Sequence, residues 1–199
     1  MTPIATGARP RIEGEREREI LQVTLEVLAE LGYDKLTLDA VAARARASKA
    51  TLYRRWSSKA ELVAEALAAM KHHPEPPDTG SLAGDFAVLT DDAHSGGEMG
   101  VRPELLCGLA TAMGRDAELR DSVRQQFIEP QLAVLVGVLK RAQARGEIAA
   151  DVDVELFATL IPALAFYRLT FADLTCEPFD LARQVVNQII LPALQSRSV

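Results

Sequence analysis

Apolar residues recur along most of the chain at intervals of three or four positions, and no segment of the sequence alternates between apolar and polar residues as a half-buried strand does. This spacing predicts an all-α fold with about nine helices. The first helix is expected over about residues 13–31, and its apolar stripe includes Ile20, Val27 and Leu31. Gly32 follows the stripe, where glycine commonly closes a helix.

Three short helices are predicted next, and each begins at a residue with a side-chain hydroxyl. Thr37, Ser48 and Ser58 are good N-caps because their oxygens accept hydrogen bonds from free backbone N–H groups. Glu61 stands three positions after Ser58, which is the spacing of a capping box. A turn of only two residues separates the second helix from the third. Together these features predict a helix-turn-helix.

A proline-rich break separates this N-terminal region from the rest of the chain. Three prolines and a glycine fall within residues 72–80, and such residues interrupt helices. We therefore expect a flexible tail over residues 1–14, a helix-turn-helix domain over 15–71 and a second domain over 78–199. The five helices expected in the second domain span about residues 82–90, 103–113, 117–145 with a kink at Pro130, Asp151 or Asp153 to 171, and 178–194.

Composition excludes several classes of protein. Only two cysteines occur, outside any metal-binding or disulfide pattern, and no apolar run approaches the ~20 residues of a membrane span. The N-terminus also lacks the apolar segment of a signal peptide. The three histidines have no partners at the spacing of a catalytic or metal site. We expect a cytoplasmic protein that is not an enzyme and uses no metal or cofactor.

Charge is distributed unevenly along the chain. The net charge is −6, but residues 1–71 carry 12 Lys and Arg against 10 Asp and Glu, a net of +2, whereas residues 72–199 have a net of −8. Between Asp39 and Glu61 there is no acidic residue, and six residues are basic: Arg44, Arg46, Lys49, Arg54, Arg55 and Lys59. This asymmetry fits a DNA-binding head on an acidic body, and a solvated basic face has the same composition.

The third helix would lie in the major groove of DNA if the helix-turn-helix is a DNA-binding one. The residues expected on its buried side are Ala50, Leu52 or Tyr53, and Trp56. The residues expected to face DNA are Lys49, Thr51, Arg54 and the ring of Tyr53. Lys and Arg neutralise phosphates, and Arg also binds guanine edges. The backbone N–H groups at the three helix starts can bind phosphates as well.

The run TLDAVAARARASKATLYRRWSSKAEL, residues 37–62, resembles the DNA-binding head of the TetR/AcrR family of repressors. The resemblance covers about residues 15–70, and its most specific part is SKATLYRRW followed by SKAEL. It implies that Thr37, Tyr53 and Lys59 contact the DNA backbone and that Trp56 belongs to the core. The DNA-binding residues predicted in all are Thr37, Arg46, Ser48, Lys49, Ala50, Thr51, Tyr53, Arg54 and Lys59.

One position departs from the family pattern. The turn usually carries glycine where this chain has Arg46, and a residue with a side chain costs about 1–2 kcal/mol in a left-handed conformation. Either the turn has a different geometry, or Arg46 is tolerated because its charge faces DNA. Ala50 also replaces a common glycine, which a helix accepts readily.

The resemblance implies that the C-terminal domain binds a ligand and dimerises, with the last two helices and their partners forming a four-helix bundle. The residues predicted at the dimer interface are Phe157, Ile161, Leu164, Ala165, Phe179, Ala182, Val186, Ile189 and Ala193. The residues predicted to line a ligand pocket are Phe86, Leu105, Leu109, Met113, Phe127, Phe166 and Tyr167.

The function expected from these patterns is a repressor that binds a palindromic operator in double-stranded DNA as a homodimer. A small, hydrophobic effector would release it. The sequence leaves open an activator or a ligand-independent regulator of the same fold. It also leaves open a non-catalytic helical module that binds proteins.

Overall fold

The computed structural model describes residues 10–70, 76–95, 103–171 and 178–195, and the regular structure in these ranges is entirely helical. Nine continuous helices are present in them, which confirms the predicted fold class. They are α1 (Pro10–Lys35), α2 (Leu38–Arg44), α3 (Lys49–Arg55), α4 (Lys59–Ala68), α5 (Leu82–Ser95), α6 (Pro103–Met113), α7 (117–144), α8 (Val154–Phe171) and α9 (178–195).

The first helix is longer than the sequence predicts at both ends. It begins at Pro10, before the predicted start at about residue 13. Gly32 ends the regular part of α1 with a φ of 73°, a left-handed conformation that glycine adopts without strain. A further turn then continues to Lys35.

The three predicted N-caps are all formed. The side-chain oxygen of Thr37 accepts a hydrogen bond from the Ala40 N–H at 3.1 Å, and those of Ser48 and Ser58 cap α3 and α4 in the same way. The capping box is shifted by one residue, because Glu61 accepts from the backbone N–H and the hydroxyl of Ser57 at 2.7 and 2.6 Å. These hydrogen bonds lower the pKa of Glu61.

Two long helices each contain a π-helical turn that ends two residues before a proline. α7 consists of Ala117–Val123, the π-helical turn Arg124–Ile128 and Glu129–Ala144, and α9 consists of Pro178–Val185, the π-helical turn Val186–Ile190 and Leu191–Gln195. In α7 the Glu129 N–H bonds to the Arg124 carbonyl five residues back, and Pro130 follows. A proline ring clashes with the carbonyl four residues before it, so the wider turn accommodates the ring. The structure thus has a π-helical turn where the sequence predicts a kink.

The apolar core does not divide where the chain has its proline-rich break. One buried cluster contains the apolar residues of α1–α4 together with Leu105 and Leu109 of α6 and Leu119 of α7. A second cluster joins α5, the later part of α7, α8 and α9, and it includes the fully buried Phe86. We refer to residues 10–70 as the head and to residues 76–195 as the body. α6 and the first turns of α7 belong to the body in sequence but pack on the head.

Among the described residues, no helix has both the length and the apolar character needed to cross a membrane. The described His, Cys, Asp and Glu side chains also form no group of three that would hold a metal ion. His72, His73 and Cys176 lie outside the described residues.

Candidate nucleic-acid interface

The turn between α2 and α3 is a Schellman motif with arginine at its left-handed position. The Arg46 N–H donates to the Ala43 carbonyl at 3.2 Å, and the Ala47 N–H donates to the Ala42 carbonyl at 2.9 Å. Arg46 itself has a φ of 52°. The turn therefore keeps the geometry in which glycine is usual, and the alternative of a different turn geometry is wrong.

Arg16 of α1 holds this turn from outside the helix-turn-helix. Its guanidinium donates to the carbonyl oxygens of Ala45 and Arg46, the latter at 3.0 Å. These two carbonyls lie past the end of α2, where no helical N–H is available for them. Sequence patterns could not reveal this contact because Arg16 is about thirty residues away from the turn.

The faces of α3 follow the prediction with one exception. Leu52 and Trp56 are fully buried, while Lys49, Tyr53 and Arg54 are exposed. Ala50 is exposed as well, so its placement on the buried side was wrong, because the inner face of this short helix is filled by the larger side chains. Thr51 is half-buried, and its hydroxyl lies 2.7 Å from that of Ser48.

Lys49 is joined to Asp39 across the helix-turn-helix. Its ammonium donates to Asp39 Oδ2 at 2.6 Å, and both side chains are largely exposed. This hydrogen bond, together with the charge of Asp39, raises the pKa of Lys49. Asp39 Oδ1 is buried without a hydrogen-bond partner among the described residues. Lys49 therefore lies on the outer face of α3 with its charge partly compensated.

Two further basic residues of the acid-free window form ion pairs with carboxylates of the same chain. Arg55 bonds to Glu17 at 2.8 Å and to Glu65 at 2.5 Å, and its guanidinium lies 5.3 Å from the centroid of the Trp56 ring. Arg44 forms a two-bond pair with Glu30. Within the described part of the chain, Arg46 and Arg54 form no ion pair. The count of six cations therefore overstates the charge that the head presents.

Lys59 points toward the end of α1. Its ammonium donates to the Tyr33 carbonyl at 3.0 Å and lies 4.1 Å from the centroid of the Tyr33 ring. The Tyr33 hydroxyl in turn donates to Asp116 Oδ2 at 2.9 Å. Thr37 is exposed at the start of α2. The predicted DNA-binding residues thus lie at the starts of α2, α3 and α4, in the turn before α3 and along the outer face of α3.

Comparisons with known proteins agree with this arrangement. The family described as bacterial regulatory proteins, tetR family, matches residues 20–66. The tetracyclin repressor-like C-terminal domain matches residues 76–189, which is more than half of the chain. The chain belongs to the TetR family. It is therefore a helix-turn-helix transcriptional regulator, and members of this family are not enzymes.

Relatives in the TetR family match nearly the whole chain. A DNA-binding transcriptional repressor TetR of Mycobacteroides abscessus is 40% identical over 157 residues, which cover 78% of this chain and 82% of the relative. An uncharacterised HTH-type transcriptional regulator of Mycobacterium tuberculosis is 37% identical over 180 residues, 90% of this chain and 88% of the relative. The crystal structure of a TetR family transcription regulator superposes with a TM-score of 0.64 at 26% identity, covering 88% and 98% of the two chains.

Only four of the seven residues predicted to line a ligand pocket in this TetR-family protein come together. Leu105 and Leu109 are buried in the first cluster, with Met113 and Phe127 packed against it. Phe86 lies in the second cluster. Phe166 and Tyr167 are exposed on α8. The fold therefore distributes the seven residues over two cores and one surface.

A cavity of about 150 Å³ lies between α5 and α9, away from these seven residues. An ion pair of Arg183 with Asp91, 3.1 Å long, stands at its edge. The residues that line it are Ala83, Ala87, Thr90, Asp91, Arg183, Val186, Asn187 and Leu191. Sequence patterns do not reveal this cavity, because small, polar and apolar residues from distant segments line it.

The predicted dimer residues lie on α8 and α9, where their exposure differs widely. Phe157, Ile161, Leu164 and Ala165 are half-buried against the second cluster. Ala182 and Ala193 on α9 are also half-buried. Val186 is only 3% exposed, so its side chain belongs to the protomer's own core and its assignment to an interface is corrected. The side chain of Phe179 is outside the described set. The large apolar residues exposed on these two helices are Leu156, Phe166, Tyr167 and Ile189.

Proposed function

We propose that this TetR-family protein is a repressor that binds a two-fold symmetric operator as a homodimer and is released by a small hydrophobic effector. The observation that carries the proposal is the outer face of α3, where Lys49, Tyr53 and Arg54 are exposed beside the capped starts of α2 and α4. A helix with such a face fits the major groove, while neighbouring helix starts face the phosphates. A protein with this role works in the cytoplasm, where we place it.

The head would divide the work between base and backbone contacts. Lys49 and Arg54 carry donors that match guanine edges, and Ser48, Ala50 and Thr51 border them on the same helix. Tyr53, Thr37 and Lys59 lie where the two strands of phosphates would pass. Arg46 adds a charge at the turn that no ion pair within the described residues compensates.

Dimerisation would use the outer faces of α8 and α9. Leu156, Phe166, Tyr167 and Ile189 are 45–59% exposed in the single chain. α8 and α9 are in contact with each other, and large exposed apolar residues on neighbouring helices favour a protein interaction site there. We therefore propose residues 15–71 as the DNA-binding unit and residues 78–199 as the unit that dimerises.

An effector site would lie in the body, and the cavity between α5 and α9 is the candidate for its entrance. Its volume of about 150 Å³ is below the 300–1,000 Å³ typical of sites for drug-sized ligands. A larger effector would therefore have to open α5 away from α9. The 40%-identical relative is named a repressor, which favours repression over activation for this chain.

The test selects duplexes from a random DNA library with the purified full-length protein and footprints the winning sequence. We expect two half-sites related by two-fold symmetry, with centres about 10 base pairs apart or a multiple of that distance. Transcription from a promoter that carries the site should fall when the protein is present. A rise would identify an activator, and an asymmetric single half-site would contradict the dimeric model of binding.

Matched variants test the DNA-binding surface and the dimer surface independently. Lys49→Ala should reduce enrichment of the selected sequence, whereas Arg120→Ala, which removes an exposed cation on α7, should not. For the dimer, Ile189→Glu and Leu31→Glu both place a charge at an apolar residue with nearly equal exposure, 45% and 46%. Light scattering at micromolar concentration should give a monomer for the first variant and a dimer for the second.

A further inference from the structure

Tyr33 connects the head to the body through a single hydrogen bond. Its ring is buried at the end of α1, and its hydroxyl donates to Asp116 Oδ2 at 2.9 Å. Asp116 is the N-cap of α7, and its other carboxylate oxygen accepts from the Leu119 N–H at 3.0 Å. The carboxylate is therefore fixed by the helix that it caps, and it fixes the Tyr33 hydroxyl in turn.

Lys59 is held by the same tyrosine on the side of the head. Its ammonium contacts the Tyr33 carbonyl at 3.0 Å and the face of the Tyr33 ring at 4.1 Å. An ammonium has three N–H donors, so one hydrogen bond to a carbonyl leaves donors available for a phosphate. Lys59 is the first residue of α4, directly after the cap Ser58, which places its backbone beside the helix start.

We propose that Asp116 of the body is a positioning residue for DNA binding, which acts through Tyr33 to hold the Lys59 ammonium where the phosphate backbone passes. This inference rests on the proposed operator binding. It assigns to a residue outside the helix-turn-helix, 57 positions after Lys59 in the chain, a part in the contact that the head makes with DNA. A displacement of the start of α7 would be transmitted to Lys59 through the hydrogen bond between Asp116 and Tyr33 and the contact between Tyr33 and Lys59.

The protonation states suit this arrangement. Burial, followed by the hydrogen bond to Asp116, raises the pKa of Tyr33, so its hydroxyl stays a neutral donor. The hydrogen bonds from the Leu119 N–H and the Tyr33 hydroxyl lower the pKa of Asp116, so its carboxylate stays charged. The donor and the acceptor therefore keep their roles throughout the neutral pH range.

A neighbouring contact supplies the control. Arg115 of the body and Asp34 of the head form an exposed ion pair at 3.3 Å, one residue away from Asp116 and Tyr33 on each side. Asp34→Asn breaks this contact between head and body without touching the bond between Tyr33 and Asp116. A general loosening of the two regions would affect both pairs, whereas positioning of Lys59 involves only one.

The experiment measures binding of the full-length protein to the selected operator and to a scrambled duplex between 50 and 200 mM salt. The variants are Tyr33→Phe, which removes only the hydroxyl, and Asp116→Ser, which keeps a good N-cap but is too short to reach Tyr33. We expect each to bind both duplexes about threefold to tenfold more weakly, the range for one lost hydrogen bond. The slope of log affinity against log salt should become shallower, by at most about 0.9 for one phosphate contact.

The combination with Lys59→Ala decides whether Asp116 acts through Lys59. Tyr33→Phe and Asp116→Ser should cause no further loss in a Lys59→Ala background, and Asp34→Asn should cause no loss of affinity in the wild-type background. Losses that multiply with Lys59→Ala, or variants that change only the melting temperature, would overturn the positioning role while operator binding stands. Failure of the wild-type protein to select any sequence would instead overturn the proposed function.

Discussion

The head and the body of this TetR-family protein differ in the residues that they expose to solvent. In the head, the three short helices start at hydroxyl caps, and Arg44, Lys49 and Arg55 are joined to carboxylates. In the body, α8 and α9 leave several large apolar side chains exposed. The head is thus a prearranged polar surface, ready for a charged partner. The body carries a surface that gains stability only when another apolar surface covers it.

The largest contrast is expected from two aromatic residues of similar size. Trp56 in the head is 1% exposed and its Nε1 donates to Glu65 Oε2 at 2.8 Å, whereas Tyr167 in the body is 58% exposed. Trp56→Ala should lower the free energy of unfolding by about 3–5 kcal/mol, because it leaves a large cavity. Urea unfolding of the purified variant measures the loss.

Tyr167→Ala is the matched control. An exposed residue contributes at most about 0.5 kcal/mol to the stability of its own chain. Its loss should appear in the dissociation constant of the dimer, measured by light scattering over a dilution series. A Tyr167→Ala variant that unfolds as readily as Trp56→Ala would remove the contrast between the two regions.

A second prediction tests whether the body also depends on polar contacts. Asp85 on α5 is fully buried, accepts hydrogen bonds from the N–H and hydroxyl of Thr79 and pairs with Arg145 at 3.1 Å. Asp85→Ala should cost about 3 kcal/mol, because it leaves these donors without their acceptor. Asp91→Ala on the same helix removes an exposed carboxylate and should cost at most about 1 kcal/mol.

The effect of Asp85 should depend on pH in a defined direction. Burial opposes its ionisation, but the bonds from Thr79 and Arg145 outweigh it and hold its pKa below the usual range. Its stabilising contribution is complete above the ordinary aspartate pKa of about 3.9 and disappears as the pH falls through the depressed value. The difference in unfolding free energy between wild type and Asp85→Ala should therefore narrow in acid. A difference in unfolding free energy that stays constant down to pH 2 would contradict a lowered pKa for Asp85.

The sequence predicts the head better than the body because the decisive signals in the head are local. Each cap bonds to a backbone group three residues away, so Thr37, Ser48 and Ser58 could be recognised from their neighbours alone. Arg16 and Asp116 could not, because their partners lie about 30 and 83 residues away in the chain. Contacts at such separations depend on how the helices pack, which spacing does not reveal.

In the body, the helices were predictable and their faces were not. The bounds predicted for α6 agree with the structure, and Asp153 caps α8 as one of the two alternatives anticipated. α8, however, is apolar on nearly all sides. A helix of this kind gives no direction for its inner face, so pocket, core and dimer residues could not be told apart. Phe166 and Tyr167 lie on this helix and are exposed, although the sequence predicts them in a pocket.

A third prediction concerns the most exposed polar contact of the head. Lys49→Ala should weaken binding to the operator by about 1–3 kcal/mol and binding to a scrambled duplex by less, if Lys49 contacts a guanine. Asp39→Ala should strengthen binding to the scrambled duplex, because it frees the Lys49 ammonium and removes a negative charge. Binding titrations on both duplexes measure the two effects. Equal losses on both duplexes for Lys49→Ala would make it a backbone contact.

Glu30→Ala is the control for the charge itself. It also removes a carboxylate from an ion pair of the head, but its partner Arg44 is outside α3. It should therefore leave the ratio of operator to scrambled affinity unchanged, whereas Asp39→Ala should lower that ratio. A similar ratio for the two variants would show that only the net charge of the head matters.

The smallest expected effect comes from a turn that both regions contain. The end of α7 repeats the Schellman motif of the helix-turn-helix, with the Gly146 N–H bonded to the Gln143 carbonyl and the Glu147 N–H to the Ala142 carbonyl, both at 3.0 Å. The left-handed residue is glycine in the body, with a φ of 81°, and arginine in the head, with a φ of 52°. The same backbone is therefore relaxed in one place and strained in the other.

Exchanging the two residues measures that strain. Arg46→Gly should stabilise the protein by about 1 kcal/mol, and Gly146→Arg should destabilise it by about 1–2 kcal/mol, both seen in urea unfolding. A Cβ at Gly146 would meet no atom within 4 Å, so the cost there is one of backbone conformation alone. Arg46→Gly should also weaken binding to all DNA sequences, because it removes an exposed charge. A variant that is more stable yet binds DNA as tightly as wild type would mean that the strain in the head serves no contact with DNA.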